Sequence, residues 1–532
     1  MSSSGRGRRG WSFCSTGSKW PLGGEVTVKK VLIIGAGLAG VSAGCYAQMN
    51  GYSSEVFEMH DVAGGVVATW RRNGYLVDGG IHFLMGHRSG TPINAIYKEL
   101  GIDQTDLYPT MTTFIRFTDE PTGLSIDISN DLEAAKQALM ARFSDDRRTI
   151  EEIFRGAQKI RRSGGLYEMG LEKAPELMSL GDRLGSTWKA RKMVKFMMGR
   201  YARPMTEVVR EVKDAALKRL ILNLFSPQAP EWLVMSVLAM VEDGQIGLIS
   251  DGCTGFMRPM VERYQALGGV FHFRSRVVKI VVDGGKAVGV RLEDGSEHKG
   301  DIVISAADGR STIYGMLEGR YADERIEERY RAWNPGASLV TVSLGLDRTF
   351  QGEPPLQVLA LGEPLTSYGS PIGIASLRIL NYGTVFAPPG KTLVQVLFEG
   401  DWEYWCEMSK DRKAYDASKA SLAWDALRIV ESQYPGVSGS AEVVDVSTPY
   451  TYWRYTGNDH GSIMGWSPPT DQMLKTMPRT LPGLDNFYMV GQWSMPGGSV
   501  PTCIASGRQA VQVLCRKDKK VFSLRGAVNP PE

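Results

Sequence analysis

Gly35-Ala36-Gly37-Leu38-Ala39-Gly40 is a G-x-G-x-x-G turn, and an acidic residue, Glu58, follows its first glycine by 23 positions. In such a turn the first glycine permits a tight bend, the second lets backbone N–H groups approach a pyrophosphate, and the third allows a helix to pack closely. A helix that starts there offers free N–H groups and partial positive charge to an anion. A carboxylate at the spacing of Glu58 can take the hydrogen bonds of a ribose hydroxyl pair. Taken alone, the motif is also compatible with a plain loop, and Glu58 with a surface carboxylate. The flanking elements decide. Val31-Leu32-Ile33-Ile34 is the continuous aliphatic run of a strand buried on both faces, and it enters the turn directly. Val41 to Asn50 is small and apolar enough to pack on a sheet as a helix, Gly51 stops it, and Glu55-Val56-Phe57 forms a second strand that ends at Glu58. A strand–turn–helix–strand unit with these residues is a dinucleotide site.

Composition narrows what else the chain can be. Its 532 residues imply two or more lobes, and 61 basic against 58 acidic residues leave a charge of +3, too balanced for nucleic acid to be the main partner. A small molecule is the expected partner, and the composition is silent on oligomeric state. The cysteines Cys14, Cys45, Cys253, Cys406, Cys503 and Cys515 show no C-x-x-C spacing, so no metal site and no disulfide framework is expected, and a reducing, cytoplasmic compartment fits. No apolar run is long enough to span a bilayer. Residues 1–27 are set aside as a flexible N-terminal extension: the first 24 carry no acidic residue and lack the apolar core of a secretory signal.

The segments that follow carry a resemblance. Asp61-Val62-Ala63-Gly64-Gly65 precedes Thr69-Trp70 and Gly74-Tyr75-Leu76-Val77-Asp78-Gly79-Gly80-Ile81-His82. Much later come Gly252, Thr254-Gly255-Phe256, a helix through Tyr264, strands at Val277 to Val282 and Val288 to Leu292, and Ile302-Val303-Ile304-Ser305 with Ala306-Ala307-Asp308. Near the end, Phe487-Tyr488-Met489-Val490-Gly491 runs into Pro496-Gly497-Gly498-Ser499-Val500-Pro501 and Ala505-Ser506-Gly507-Arg508. In this order the motifs resemble the phytoene desaturase and carotenoid isomerase branch of the FAD-dependent amine oxidase superfamily, over Val28 to about Lys517. The resemblance implies FAD as cofactor, held at Gly35, Ala36, Gly37, Leu38, Ala39, Gly40, Glu58, Met59, Gly64, Gly65, Gly79, Gly80, Ile81, His82, Val277, Gly491, Gly498, Val500 and Pro501. Val277 would meet the adenine through its backbone, and the helix opened by the Pro496–Pro501 turn would face the flavin pyrimidine, where its N-terminus stabilises negative charge. Two departures stand out: Val66 replaces the arginine common after the Gly-Gly pair of amine oxidases, and Gln492 replaces the acidic residue usual after Gly491 in monoamine-oxidase-type enzymes.

Because flavin segments fall near the start, middle and end, the expected fold is α/β: a Rossmann-type FAD-binding domain from discontinuous segments (28–110, 244–311 and 480–518) plus an α+β substrate domain (111–243 and 312–479) with a mixed sheet and helical cover, and a tail at 519–532. The first insertion is expected to be mostly helical, with helices at Leu132 to Phe143, Thr149 to Ser163, Lys192 to Leu224 and Glu231 to Val241. The second is expected to open with a helix and continue in strands such as Leu339 to Leu344 and Thr392 to Phe398. Met193, Met197, Met198, Met235 and Met240 are soft enough to line a tunnel, although ordinary core packing explains each. Lys189, Arg191, Lys192, Lys195 and Arg200 suggest either peripheral contact with an anionic membrane or a solvated face.

For catalysis, His82 is the first proton-transfer candidate, since an unperturbed imidazole titrates near neutrality and this one follows the Gly79-Gly80 loop. Arg454 and His460, in the segment resembling the family's flavin-facing region, are the next. Cys503 is expected to be a buried inert thiol. No second G-x-G-x-x-G unit argues for a nicotinamide domain. The implied activity is oxidoreduction of C–C bonds in an apolar, isoprenoid- or carotenoid-like substrate, by desaturation, saturation or isomerisation. The alternatives are a flavin amine oxidase and a non-catalytic flavin-fold protein that binds lipid.

Overall fold

The computed structural model describes residues 28–164, 171–182, 196–473 and 475–524. The N-terminal extension and four of the five basic-cluster residues, Lys189, Arg191, Lys192 and Lys195, lie outside them, as does Met193.

Strand β1 (Lys30–Ile34) is the centre of a five-stranded sheet with β2 (Ser53–Phe57), β3 (Val270–His272), β4 (Ile302–Ser305) and β5 (Phe487–Met489), in the order β5-β4-β1-β2-β3. Every neighbour runs parallel. Burial on both faces explains the unbroken aliphatic run Val31 to Ile34, where a half-exposed strand would alternate. Helix α1 (Leu38–Met49) is buried at every position except Gln48. It is covered by α2 (Gly252–Ala266) and by α4 (Val500–Lys517), with a further helix, α3 (Pro449–Thr456), between them in sequence. The α1–α4 contact is tight because Gly507 has no side chain: a Cβ there would lie 2.5 Å from the Ala39 carbonyl oxygen. Ser42 Oγ donates to Ile504 O at 2.7 Å across the same contact. The first of the tail residues continue this cover, with Phe522 against Tyr46 at a ring separation of 5.8 Å.

A seven-stranded sheet forms the second layer, in the order Glu442–Ser447, Leu339–Leu346, Thr392–Glu399, Ile372–Ile379, Leu356–Leu365, Thr113–Asp119, Leu124–Ser129. Only the Leu356–Leu365 and Thr113–Asp119 pair is parallel, so the sheet is mixed, as expected. Its last two strands correct the mostly helical reading of the first insertion. They are a hairpin whose turn carries Pro121 and Gly123, and it completes a sheet otherwise built from the second insertion.

Helices at Leu132–Arg142, Arg147–Arg162 and Glu231–Glu242 stand close to their expected positions. The long helix expected from Lys192 to Leu224 does not form over its described part. Instead, short turns at Arg200–Ala202, Met205–Val208 and Val209–Glu211 precede a helix at Ala215–Asn223. Pro204 lacks the N–H that a continuous helix would use, and the Asp214 carboxylate starts the last helix by accepting from Ala216 N and Leu217 N at 2.8 and 3.1 Å. Met235 and Met240 are fully buried in the helical core, and Met198 points out of it, 75% exposed. The second insertion opens with a π-helical turn, Ser311–Met316, and a helix, Glu324–Ala332.

Candidate functional site

The C-terminal ends of all five parallel strands lie along one edge of the first sheet. There the chain order reverses, since β2 flanks β1 on one side and β4 on the other, and a crevice opens at such a switch point. Gly35 leaves β1 with φ +93° and donates its N–H to Phe57 O at 2.8 Å. Gly40 and Gly37 differ in what demands them. A Cβ on Gly40 would stand 1.9 Å from Gly35 O, so the turn closes onto the helix only with glycine there. A Cβ on Gly37 would meet nothing nearer than Gly64 O at 3.8 Å, and its φ of −75° suits any residue. No protein group requires glycine at that position.

The N-terminus of α1 has no side-chain cap and no acidic residue in its first turn, so its free N–H groups beside Gly37 are unopposed. Glu58, buried, accepts from Ala36 N at 2.8 Å through Oε2 and from His60 N at 3.0 Å through Oε1. Its carboxylate thereby fixes the glycine turn while keeping lone pairs for a ligand. Met59 follows, half-buried. The Gly64-Gly65 loop folds over the turn, with Gly64 N donating to Ala36 O at 3.0 Å and Gly65 against Gly37. This pairing sets two glycine backbones side by side at the N-terminus of α1.

The Gly79-Gly80-Ile81-His82 loop is clamped by a buried polar network. Arg378, from the second sheet, donates through Nη2 to Asp78 Oδ2 and to Ile81 O, each at 3.1 Å, and through Nη1 to Gln395 Oε1 at 2.8 Å. Gln395 Nε2 donates to Asp78 O at 3.0 Å, Tyr452 on α3 donates to Gly79 O at 3.3 Å, and Cys253 N at the start of α2 donates to Asp78 Oδ1 at 3.0 Å. Cys253 Sγ in turn accepts from Ile81 N at 3.1 Å. Two strands of the second sheet and two helices thus hold Asp78, Gly79 and Ile81. Arg378 Nε is buried with no partner.

His82 differs from expectation in its proton affinity. Burial, and then the Arg378 guanidinium, pull its imidazole down from 6.5 to about 3. It is neutral at physiological pH, and the near-neutral titration that recommended it for proton transfer is absent.

At the far end of the chain, β5 carries Val490 N to Ser305 O at 2.9 Å. Gly491 then turns with φ +97° and donates to Ser506 Oγ at 2.5 Å. That turn packs on the first turn of α1: a Cβ on Gly491 would lie 3.3 Å from Ala39 Cβ. Ser499 precedes α4, its N–H bonded to Thr502 Oγ1 at 3.1 Å, and Val500-Pro501 open the helix. Gly498 sits against Met464 O, so the segment after α3 covers this turn. Val277 begins the three-stranded sheet beside β4, where the ladder is irregular between Val277 and Lys279.

The other two catalytic candidates are placed elsewhere. Arg454 is exposed at the end of α3 and stacks over Tyr455 at 5.2 Å, because its position on the helix faces away from Tyr452, the residue that reaches the loop. His460 is half-buried, with Nδ1 3.0 Å from Asp459 Oδ1, and that contact holds its imidazole above the ordinary value. Among the contacts of described residues, none joins any two of His82, Arg454 and His460. Burial pushes the Cys503 thiol up to about 12, as an inert thiol requires. Arg200, the described member of the basic cluster, is paired with Glu152 at 2.5 Å. No helix among the described residues is long and apolar enough to cross a membrane.

Residue-by-residue reading missed Arg378, Gln395 and Tyr452, and placed Asp308 only at the end of the Ala306-Ala307-Asp308 segment with no role of its own. Arg378 alone left a signal, a lone cation inside the apolar run Leu377 to Leu380. Asp308, just past β4, accepts from Ser311 N at 2.7 Å and from Asp459 N at 3.0 Å. Burial raises it to about 6 all the same.

Fold and site together define an α/β protein whose second sheet packs on the Gly79–His82 loop at the C-terminal edge of the first. The family model for flavin containing amine oxidoreductase matches residues 38–515, and the chain belongs to that family. It is 24% identical to the chloroplastic prolycopene isomerase of Arabidopsis thaliana, across 94% of this chain and 86% of that one. It is 22% identical to a 4,4'-diapophytoene desaturase (4,4'-diapolycopene-forming) of Methylomonas sp, across 93% and 96%. These relatives set it in the phytoene desaturase and carotenoid isomerase-like branch. Among solved structures, an oxidoreductase from Methanosarcina mazei (TM-score 0.58, 19% identity, 91% and 100% covered) and the cyclohexylamine oxidase of Brevibacterium oxydans (0.57, 13%, 93% and 100%) share the fold.

Proposed function

We propose that this chain is an FAD-dependent oxidoreductase acting on C–C bonds of an apolar, conjugated isoprenoid substrate, by desaturation, saturation or isomerisation. The observation that carries the cofactor reading is the uncapped N-terminus of α1 at Gly37, with the Gly64-Gly65 backbone packed beside it. Glu58 lies on one side of it, and the Gly79–His82 loop and the start of α4 lie along the same crevice. Such a line of sites suits an extended dinucleotide: ribose at Glu58, pyrophosphate at Gly37 and Gly65, and the redox ring between His82 and α4. Residues 28–110, 244–311 and 480–518 form its FAD domain in this reading, and 111–243 and 312–479 its substrate domain.

When bound, the flavin supplies the hydride or electron exchange with substrate carbon. The chain's own residues then orient and insulate. Arg378 and Asp78 lock the loop, and the N–H groups of α4 offer partial positive charge. His82, neutral, can make a hydrogen bond without adding charge. Phe83 and Met85, immediately after it, pack against the apolar core of the helical layer, and Phe83 meets Phe114 edge-on at 5.9 Å. An apolar wall beside the loop supports a hydrocarbon substrate, in keeping with relatives named for carotenoid chemistry.

The test has two parts. Nucleotide released from denatured protein and separated by chromatography is expected to be FAD; a chain that neither retains nor rebinds FAD overturns the cofactor reading. Anaerobic mixing with a panel of polyenes should bleach the flavin or yield an altered polyene, whereas bleaching by amines alone would reassign the substrate.

A further inference from the structure

Glu55 on β2, His272 on β3 and His298 on the short strand Glu297–Lys299 lie at the seam between the five-stranded sheet and the three-stranded sheet beside it. All three are half-buried, and one ligand atom from each falls within 4.8 Å of the other two. His272 Nε2 is 3.0 Å from Glu55 Oε2, and the two imidazoles approach to 5.3 Å between ring centres. Phe57 backs both rings, stacked on His272 at 4.6 Å and edge-on to His298 at 4.8 Å. That backing fixes the ring planes. Lys30 Nζ takes the other carboxylate oxygen, Oε1, at 2.5 Å, leaving Oε2 directed at the histidines. No hydrogen bond from a described residue reaches either ring nitrogen of His298.

We infer that Glu55, His272 and His298 form a binding site for a divalent transition-metal ion of the zinc type, outside the nucleotide crevice. Two imidazoles and one carboxylate are a donor set that such ions prefer, with bonds of about 2.0–2.2 Å that place neighbouring ligand atoms roughly 3.3 Å apart in a tetrahedral arrangement. Ligand atoms already within 4.8 Å reach that spacing by small side-chain rotations. The three side chains are only half-buried, so water can complete the coordination, and Lys30 acts from outside as the carboxylate's orienting partner. The ion would clip edge strand β3 and the smaller sheet to β2. Glu58 N donates to His272 O at 2.9 Å, so the clip sits one residue from the carboxylate that fixes the glycine turn.

The full chain, free of any affinity tag and stripped with chelator, is titrated with Co2+ and then with Zn2+. One saturable site with the visible ligand-field bands of tetrahedral Co2+, displaced by Zn2+, is expected. His298→Ala and Glu55→Gln should each weaken binding by more than the about 10–100-fold that loss of an outer partner costs. Lys30→Gln should retain the site. Retained flavin absorbance and an unchanged metal-free melting temperature establish that each variant is folded. His272→Ala removes a ring stacked on Phe57; if it fails to fold, His298→Ala decides alone. Absence of a saturable site, or Co2+ spectra and affinity unchanged in His298→Ala, overturns the inference.

Discussion

Replacing His82 with glutamine should remove part of the acid sensitivity of the fold. In the native protein this imidazole is held at about 3, against an ordinary 6.5, by burial and by the Arg378 guanidinium. The unfolded chain therefore binds a proton on His82 below about pH 6.5 that the folded chain refuses until near pH 3. Stability is full above the unfolded value and is lost as pH falls towards the folded one. At pH 5 the linkage relation gives a loss of about 2 kcal/mol relative to pH 8, out of about 5 kcal/mol for the whole shift. Glutamine has no such proton. Urea unfolding of both proteins at pH 8 and pH 5 should show the wild type losing about 2 kcal/mol more than His82→Gln, other groups cancelling in the double difference. With six histidines in the chain, 15N-imidazole NMR can follow His82 directly. A double difference below about 0.5 kcal/mol, or a His82 signal that titrates between pH 6 and 7, would refute the buried neutral assignment.

Gly40→Ala should fail to give folded protein, since its Cβ would sit 1.9 Å from a backbone oxygen, whereas Gly37→Ala should fold with an unchanged melting temperature and bind FAD about tenfold or more weakly, a loss of at least about 1.4 kcal/mol by fluorescence titration. Arg378→Met should cost about 3–5 kcal/mol in thermal unfolding, because it strands the buried Asp78 carboxylate, and Asp78→Asn in the same chain should restore part of the loss. Cys503, held at about 12, should resist maleimide at pH 8 in the native protein and react fully in urea, as peptide mapping would show.

The backbone around the glycine turn was legible because its signals are local. The strand before Gly35, the helix after it and Glu58 at the end of the next strand lie within 30 residues, and each constrains the backbone through its own type. The Pro496–Pro501 turn was legible for the same reason. What escaped depends on distant chain segments meeting. Arg378 acts on Asp78 from 300 residues away, and nothing local marks the pair except a cation in an apolar strand. The hairpin Thr113–Ser129 was passed over because its strands are stabilised by Leu356–Leu365, far along the chain, and not by their own pattern. His82 was assigned an ordinary proton affinity because burial cannot be read from a residue's neighbours in sequence.

The close contact of α1 with α4 has a consequence for biosynthesis. Eleven of the twelve residues of α1 are buried in the finished protein, and Gly507 and Ile504, which cover one face, emerge about 460 residues after Ser42. At roughly 5–20 residues per second, a nascent chain carries that face uncovered for about 20–90 seconds. A stretch made late seals one made early. Premature termination between residues 58 and 500 should leave a polypeptide that contains the whole glycine turn yet is a chaperone client, with α1 uncovered on one face.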